Sequence, residues 1–218
     1  MSRPADNVRA IDGRRPGRRG RETRERLLEC AAERLEKASY RDIKVTDIAR
    51  CAQTSPATFY QYFESVEDAI FALAEDMASE GESLTEHVQH ANWRGKAAGE
   101  SALGLVDGFL HLWEEHRAVL RVVDLATLEG DNRFYSIRTT FLNHVTLALR
   151  DVIERFKADG RHPPDLDSMA HASSVVSMLA HAAQHRYGFE FWGIRTDDMR
   201  LSLARIVCWS VTGRRPPD

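Results

Sequence analysis

No run of apolar residues in this 218-residue chain is long enough to cross a membrane. The arginine-rich start resembles the beginning of an export signal, but the LLECAAERL that follows is interrupted by Glu29, Glu33 and Arg34, so no apolar signal core exists. A cytoplasmic location and no membrane partner are therefore expected. Alternating strand-like runs bounded by turns are missing too, while helix formers dominate, which leaves an all-α fold as the expected class. Cysteine is scarce: Cys30, Cys51 and Cys208 stand far apart without a CxxC pair, so a metal or redox motif lacks support, and Cys30 and Cys51 read as small buried thiols. No phosphate loop, nucleophile elbow or complete metal set appears, so neither enzymatic activity nor a cofactor is expected. His181 and His185, four residues apart on one helical face, do not make a metal site without further ligands and read as a polar patch between helices.

What is present is an ordinary globular composition, 43% apolar, with an uneven charge distribution behind a net charge of −3. Residues 1–20 carry six arginines against Asp6 and Asp12, a balance of +4, whereas residues 21–76 hold eight basic and twelve acidic side chains, or −4. Within GRRPGRRGR (13–21), glycine and proline oppose helix formation while arginines repeat. Residues 1–20 therefore read as a flexible cationic arm.

The stretch VTDIARCAQTSPATFYQYF, residues 45–63, carries the most information. Val45, Ile48, Ala49 and Ala52 recur at helical spacing and give one apolar face. Gln53–Thr54–Ser55 forms a turn, Ser55 suits a helix N-cap, and Pro56 suits the first helical position, where its missing N–H costs nothing. In the short helix that follows, Phe59 and Phe63 share an inward face. Ala57, Thr58 and Gln61 point the other way, with Tyr60 on the flank. A helix of barely two turns has little reason to be ordered unless something uses its outer face. A DNA major groove admits such a helix, and this face offers a methyl, a hydroxyl and an amide to base edges.

At these residues the chain resembles the TetR family of bacterial transcriptional regulators. The resemblance runs through Leu27–Leu28, Ala31–Ala32, Leu35, Tyr40, Val45, Ile48–Ala49 and Thr58–Phe59–Tyr60–Gln61–Tyr62–Phe63, ending at Ser65 and Glu67. It implies a homodimer with paired DNA-reading heads and a helical effector-binding body, most simply a repressor released from operator DNA by a small ligand. The alternative is a helical ligand-binding dimer that no longer binds an operator. The expected division is an arm over residues 1–20, a helix-turn-helix domain over 21–66 and an effector-binding and dimerisation domain over 67–218. Candidate DNA contacts are Lys44, Thr46, Ser55, Pro56, Ala57, Thr58, Tyr60, Gln61 and Tyr62, with Arg18, Arg19 and Arg21 at the end of the arm. The arm would supply the positive charge that the acidic head lacks, through phosphates or an A·T-rich minor groove.

The chain also departs from the family pattern. Gln53 occupies the turn position where the family has glycine, which asks a non-glycine residue for a left-handed backbone. Ser39 replaces a helix-ending glycine, Lys44 a Thr or Ser cap, and Val66 a lysine that reaches a phosphate.

Helical periodicity fills the rest of the chain. Helices are expected near 21–37, from Ser65 through Met77, up to Glu115 after a polar break at Asn92–Lys96, over 117–129, 133–159, 167–187 and 197–211. Ser65 and Asp68 have capping-box spacing. The last two helices suit self-association, with Ala170, Ser173, Ser174, Ser177 and Ala180 permitting close approach and Leu203, Ile206, Val207 and Trp209 supplying apolar area. Phe109, Trp113, Phe141, Val145 and Met178 are candidates to line an effector cavity, with Asn143, His144 and Gln184 as polar contacts. Such a lining favours a hydrophobic or amphipathic ligand of unknown identity.

Overall fold

A computed structural model describes residues 17–213. The described residues form α-helices and one 3-10 turn, and no strand is present among them. The helices are α1 (Arg18–Lys37), α2 (Val45–Cys51), α3 (Pro56–Phe59), α4 (Val66–Glu80), α5 (Glu82–His90), α6 (Ala97–Glu115), α7 (Arg117–Leu128), α8 (Asn132–Ala158), α9 (Ser168–Phe191) and α10 (Thr196–Thr212), with a 3-10 turn at Tyr40–Asp42. The chain divides into two compact units. One comprises the described residues up to Asp76 together with Ala118–Tyr135, and the other comprises Met77–Arg117 with Ser136 onward. The division is drawn differently from the expected 21–66 and 67–218 boundaries, because α7 and the first residues of α8 group with the N-terminal helices.

In the first unit, Leu27, Leu28, Ala31 and Leu35 of α1 are buried together with Ile48, Ala49 and Ala52 from α2 and its cap, and with Phe59 and Phe63. Charged side chains from the second segment hold the ends of these helices. Arg121 donates to the carbonyl of Leu35, an orphan acceptor in the last turn of α1, at 3.0 Å. Glu129 accepts from Tyr40 and Arg41. Arg133 bridges Asp68 and Asp131 at 2.7 and 3.0 Å, and these two carboxylates raise its already high pKa further. The Ser65 hydroxyl does cap α4, accepting from the Asp68 amide at 3.1 Å. The Asp68 carboxylate itself accepts from Arg133.

The second unit is organised around α6, against which α10 packs most extensively and α5 and α9 also pack. Gly104 and Gly108 on α6 stand where a Cβ would meet the His87 ring and Leu84 on α5, so the missing side chains permit that close approach. The helix expected from Ser65 ends at Glu80, and α5 is a separate element. Gly81 lies at the break, where a Cβ would lie 2.2 Å from the Phe141 ring. The Asn92–Lys96 break is present, yet Trp93 within it is buried and donates to the Val88 carbonyl at 3.0 Å. Gly160, at φ +71, follows the end of α8 in the left-handed conformation expected of a helix terminator.

Candidate nucleic-acid interface

The turn between α2 and α3 takes the form its residues dictate. Gln53 adopts φ +53 and is the one non-glycine residue with a left-handed backbone among the described residues. Thr54 then donates its amide to Ala49 at 2.9 Å, closing the turn. Ser55 is the N-cap of α3: its hydroxyl accepts from the Thr58 amide at 3.1 Å, and Pro56 follows at the first helical position. α3 is a single α-turn, prolonged by further turns as the Tyr62 and Phe63 amides donate to Phe59.

Two aromatic anchors fix this short element from behind. Phe59 is completely buried and Phe63 is 4% exposed, their rings 5.4 Å apart, and the Arg24 guanidinium lies over the Phe63 ring. The opposite side is open. Pro56, Ala57, Gln61 and Tyr60, the last 53% exposed, face solvent, while Thr58 and Tyr62 are half-buried. The Thr58 hydroxyl lies 3.0 Å from Ser55 Oγ, so it belongs to the cap as well as to the outer face. Lys44 and Thr46 are exposed at the start of α2. Lys44 occupies the N-cap position there without a side-chain cap bond. Val66 is buried, so no side chain at this position reaches outward toward a phosphate.

α1 begins at Arg18, three residues before the expected start, so Arg18, Arg19 and Gly20 form its first turn instead of the end of an arm. Arg18 is paired with Glu22 at 2.9 Å, and Arg19 and Arg21 are exposed. The remainder of the arginine-rich arm lies outside the described residues.

The reading of Cys30 and Cys51 as separate thiols needs correction. Cys30 on α1 and Cys51, the last residue of α2, form a disulfide with a Cα–Cα distance of 5.8 Å. Twenty-one residues separate them in sequence, and only the packing of α1 against α2 brings them together. Cys208 on α10 is a buried free thiol, its pKa pushed up by burial.

In the second unit the expected effector residues fall into two groups. Phe109, Trp113, Phe141 and Val145 are buried, with Phe109 stacked on Trp113 at 5.6 Å and Trp113 tilted against Phe141 at 6.2 Å. Met178 is half-buried. Asn143, His144 and Gln184 are exposed, so they do not join that aromatic cluster. Asn143, two positions after Phe141, lies about 200° round α8 and so on the opposite face, while His144 is exposed at the flank of that face. Asn143 instead borders a surface groove of about 390 Å³ with Thr146, Met169 and Ser173. Of the apolar residues expected to support self-association, Leu203 and Val207 are buried within the unit, while Ile206 and Trp209 remain exposed on α10. Ala170, Ser174 and Ser177 are exposed on α9, Ser173 is half-buried, and Ala180 is buried. His181 and His185 have their rings 4.3 Å apart. Among the described residues, no group of three or more metal-ligating side chains forms.

Comparison with known proteins agrees with this arrangement. A family model described as tetracyclin repressor-like, C-terminal domain, matches residues 84–218. The HTH-type transcriptional regulator EthR of Mycolicibacterium smegmatis is 34% identical over an alignment covering 97% of each chain. YdgC, an uncharacterized HTH-type transcriptional regulator of Bacillus subtilis, is 26% identical over 91% of this chain and 95% of its own. The crystal structure of the transcriptional regulator FadR from Bacillus subtilis, in complex with stearoyl-CoA, superposes with a TM-score of 0.62 at 17% identity, covering 88% of this chain and 99% of that one. The last likeness shows the fold alone; the family match and the 34% relative, each spanning most of the chain, place it in the TetR family of helix-turn-helix transcriptional regulators.

Proposed function

We propose that the protein is a homodimeric repressor that reads an operator through the outer face of α3 and is released by a hydrophobic or amphipathic small molecule. The observation that carries the DNA-reading half is the two-sidedness of α3: Phe59 and Phe63 are sealed inside while Ala57, Tyr60 and Gln61 face outward. Gln61 presents an amide with the donor and acceptor pair that matches adenine in the major groove, and Ala57 a methyl suited to thymine. A two-fold dimer presents two such helices to half-sites about 34 Å apart, or a multiple of that. The exposed Leu201, Ile206 and Trp209 on α10, with the small exposed residues of α9, favour self-association through these two helices. For the effector, support comes from the aromatic cluster around Trp113 and from the stearoyl-CoA held by the FadR relative in fold.

Release requires the ligand to favour a conformation whose heads are wrongly spaced. Linkage then demands that operator DNA weaken the ligand by the same factor. A mobility shift with duplex from the promoter of the protein's own or neighbouring genes tests the first half. A shifted complex, lost on adding stearoyl-CoA or a comparable acyl probe, is the expected result. In the intact protein, Gln61→Ala relaxes the preference at one base pair by about 1–3 kcal/mol. An unchanged base-preference profile removes Gln61 from the reading face. Equal ligand affinity with and without operator refutes the release mechanism. The second reading, a ligand-binding dimer without operator binding, draws on the −4 balance of residues 21–76 and on Val66 at a position the resemblance assigns to lysine. Absence of any shift, with ligand binding intact, would favour it.

A further inference from the structure

The Cys30–Cys51 bridge joins two of the three helices of the reading head at a mechanically sensitive place. Cys51 closes α2, and the next three residues are Ala52, the left-handed Gln53 and Thr54, which lead into the Ser55 cap of α3. A covalent link there fixes the start of the turn to α1. With the bridge in place the head is complete: the cap is made, Phe59 and Phe63 are buried, and the outer face of α3 is free. Proteins that act on DNA inside cells work where thiol pools keep cysteines reduced, and a disulfide in that setting is usually transient and redox-sensing.

We propose that Cys30 and Cys51 form a reversible dithiol–disulfide pair that responds to hydroperoxides, and that oxidation holds the head in its DNA-reading geometry. Cys51 is half-exposed, so a small peroxide can reach it, whereas Cys30 is buried. In the bridged structure Glu33 Oε2 lies 3.5 Å from the Cys51 sulfur, where it would accept from the thiol once the bridge is reduced. Glu33 is itself paired with Lys37 at 2.6 Å, a hydrogen bond that lowers its pKa and offsets the charge it sets beside the thiol. Arg34 follows Cys30 by one helical turn and so lies on the same side of α1. Its Nε is buried without a hydrogen-bond partner. The Cys51 thiolate attacks one oxygen of the hydroperoxide, giving a sulfenic acid, and the O–O bond breaks to release an alcohol that takes up the thiol proton. The Cys30 thiol then attacks the Cys51 sulfur, expelling the hydroxyl group as water as the S–S bond forms. Two thiols are oxidised and one hydroperoxide is reduced to an alcohol and water. Thiol–disulfide exchange with a small-molecule thiol reverses the change.

The inference rests on α3 being the DNA-contacting helix, and its test separates the two. The full-length protein is treated with hydrogen peroxide or with dithiothreitol, and the thiol state of each cysteine is mapped by alkylation and mass spectrometry. Both forms are then titrated against a labelled duplex from the protein's own promoter. The expected result is a Cys30–Cys51 peptide in the oxidised form and operator binding that is about two- to tenfold weaker in the reduced form, the scale of immobilising one side chain on binding. Cys30→Ser and Cys51→Ser bind like the reduced protein under both treatments, and Cys208→Ser responds like the unaltered chain. Equal affinity of the two mapped forms, or no Cys30–Cys51 peptide after peroxide, overturns the proposal. Failure of both forms to bind any promoter duplex is a different outcome and rejects the DNA-reading assignment beneath it, and the proposal with it.

Discussion

Replacing Gln53 by glycine is expected to stabilise the head, although it removes a side chain. Gln53 is exposed and sits at φ +53, where the Cβ of an L-residue crowds the following carbonyl oxygen. That conformation costs a non-glycine residue about 1–2 kcal/mol. Against it stands the extra freedom glycine has in the unfolded chain, which costs about 0.5–1 kcal/mol. The difference lies between about 0 and 1.5 kcal/mol in favour of glycine, centred on about 0.75 kcal/mol. For a chain of this size such a gain raises the melting temperature by about 1–4 °C.

The assay is thermal or urea unfolding of the oxidised protein, followed by circular dichroism. Three variants set the scale: Gln53→Gly above the parent, Gln53→Ala close to it, and Gln53→Val below it because a β-branched side chain is worst at positive φ. Operator affinity serves as a control, since the outer face of α3 is untouched. A glycine variant less stable than the parent would refute the reasoning and show that the glutamine side chain makes a favourable interaction that outweighs its backbone cost.

The other perturbations address separate parts of the molecule. Gly81→Ala places a Cβ 2.2 Å from the buried Phe141 ring and is expected to destabilise the protein despite alanine's better helix propensity; overpacking of this kind costs about 1–3 kcal/mol, and Phe141→Leu in the same chain should restore most of it. Removing residues 1–16 deletes four arginines while sparing α1, and is expected to weaken operator binding and flatten its dependence on salt; an unchanged slope would dismiss the arm as a phosphate-binding element. Asp131 has its pKa lowered, chiefly by the hydrogen bond from Arg133. A depressed carboxylate contributes stability that is present above its unfolded pKa and is lost as pH falls through the folded one. Unfolding midpoints measured below about pH 4 should therefore drop more steeply for the parent than for Asp131→Asn.

The helices of the chain were readable wherever local chemistry determines them. The α2–turn–α3 unit follows from Ile48, Ala49, Ser55, Pro56 and Phe59, and the family resemblance marks Gln53 as standing where a glycine is usual. The same holds for the end of α8, where Gly160 can do what other residues do poorly. What escaped the sequence depends on partners distant in the chain. Cys30 and Cys51 carry no mutual signal until α1 and α2 pack. Gly81 reads as one more small residue until the Phe141 ring is found against it. Ala118–Tyr135 groups with the N-terminal helices, and Arg121, Glu129 and Arg133, charged residues that periodicity sorts as solvent-facing, make bonds to them beside the buried apolar residues of α7. In the candidate cavity, Phe109, Trp113 and Phe141 did cluster. The polar residues expected beside them are exposed instead, and Asn143, two positions from Phe141, is turned to the opposite face of α8.

α3 is too short to be helical by itself, since nucleating a helix fixes several residues before any bond is gained. Its order is therefore borrowed: the Ser55 hydroxyl supplies the first acceptor, Phe59 and Phe63 supply burial, and α1 and α2 supply the surface they are buried in. Two kinds of damage to DNA binding must then differ in form. Loss of an outward group such as the Gln61 amide removes a contact to one base and changes the preference there, leaving other positions unaffected. Loss of a support acts on the population of heads in which α3 is formed at all, and so lowers affinity for every sequence by one factor. Phe59→Ala, whose cost in a core this small is about 3–5 kcal/mol, belongs to the second kind. Ser55→Ala, at about 1 kcal/mol, belongs there too, in a milder degree. A base-preference profile measured on these two variants should keep its shape while its overall strength falls, and a profile that changes shape would mean that the residue touches the bases itself.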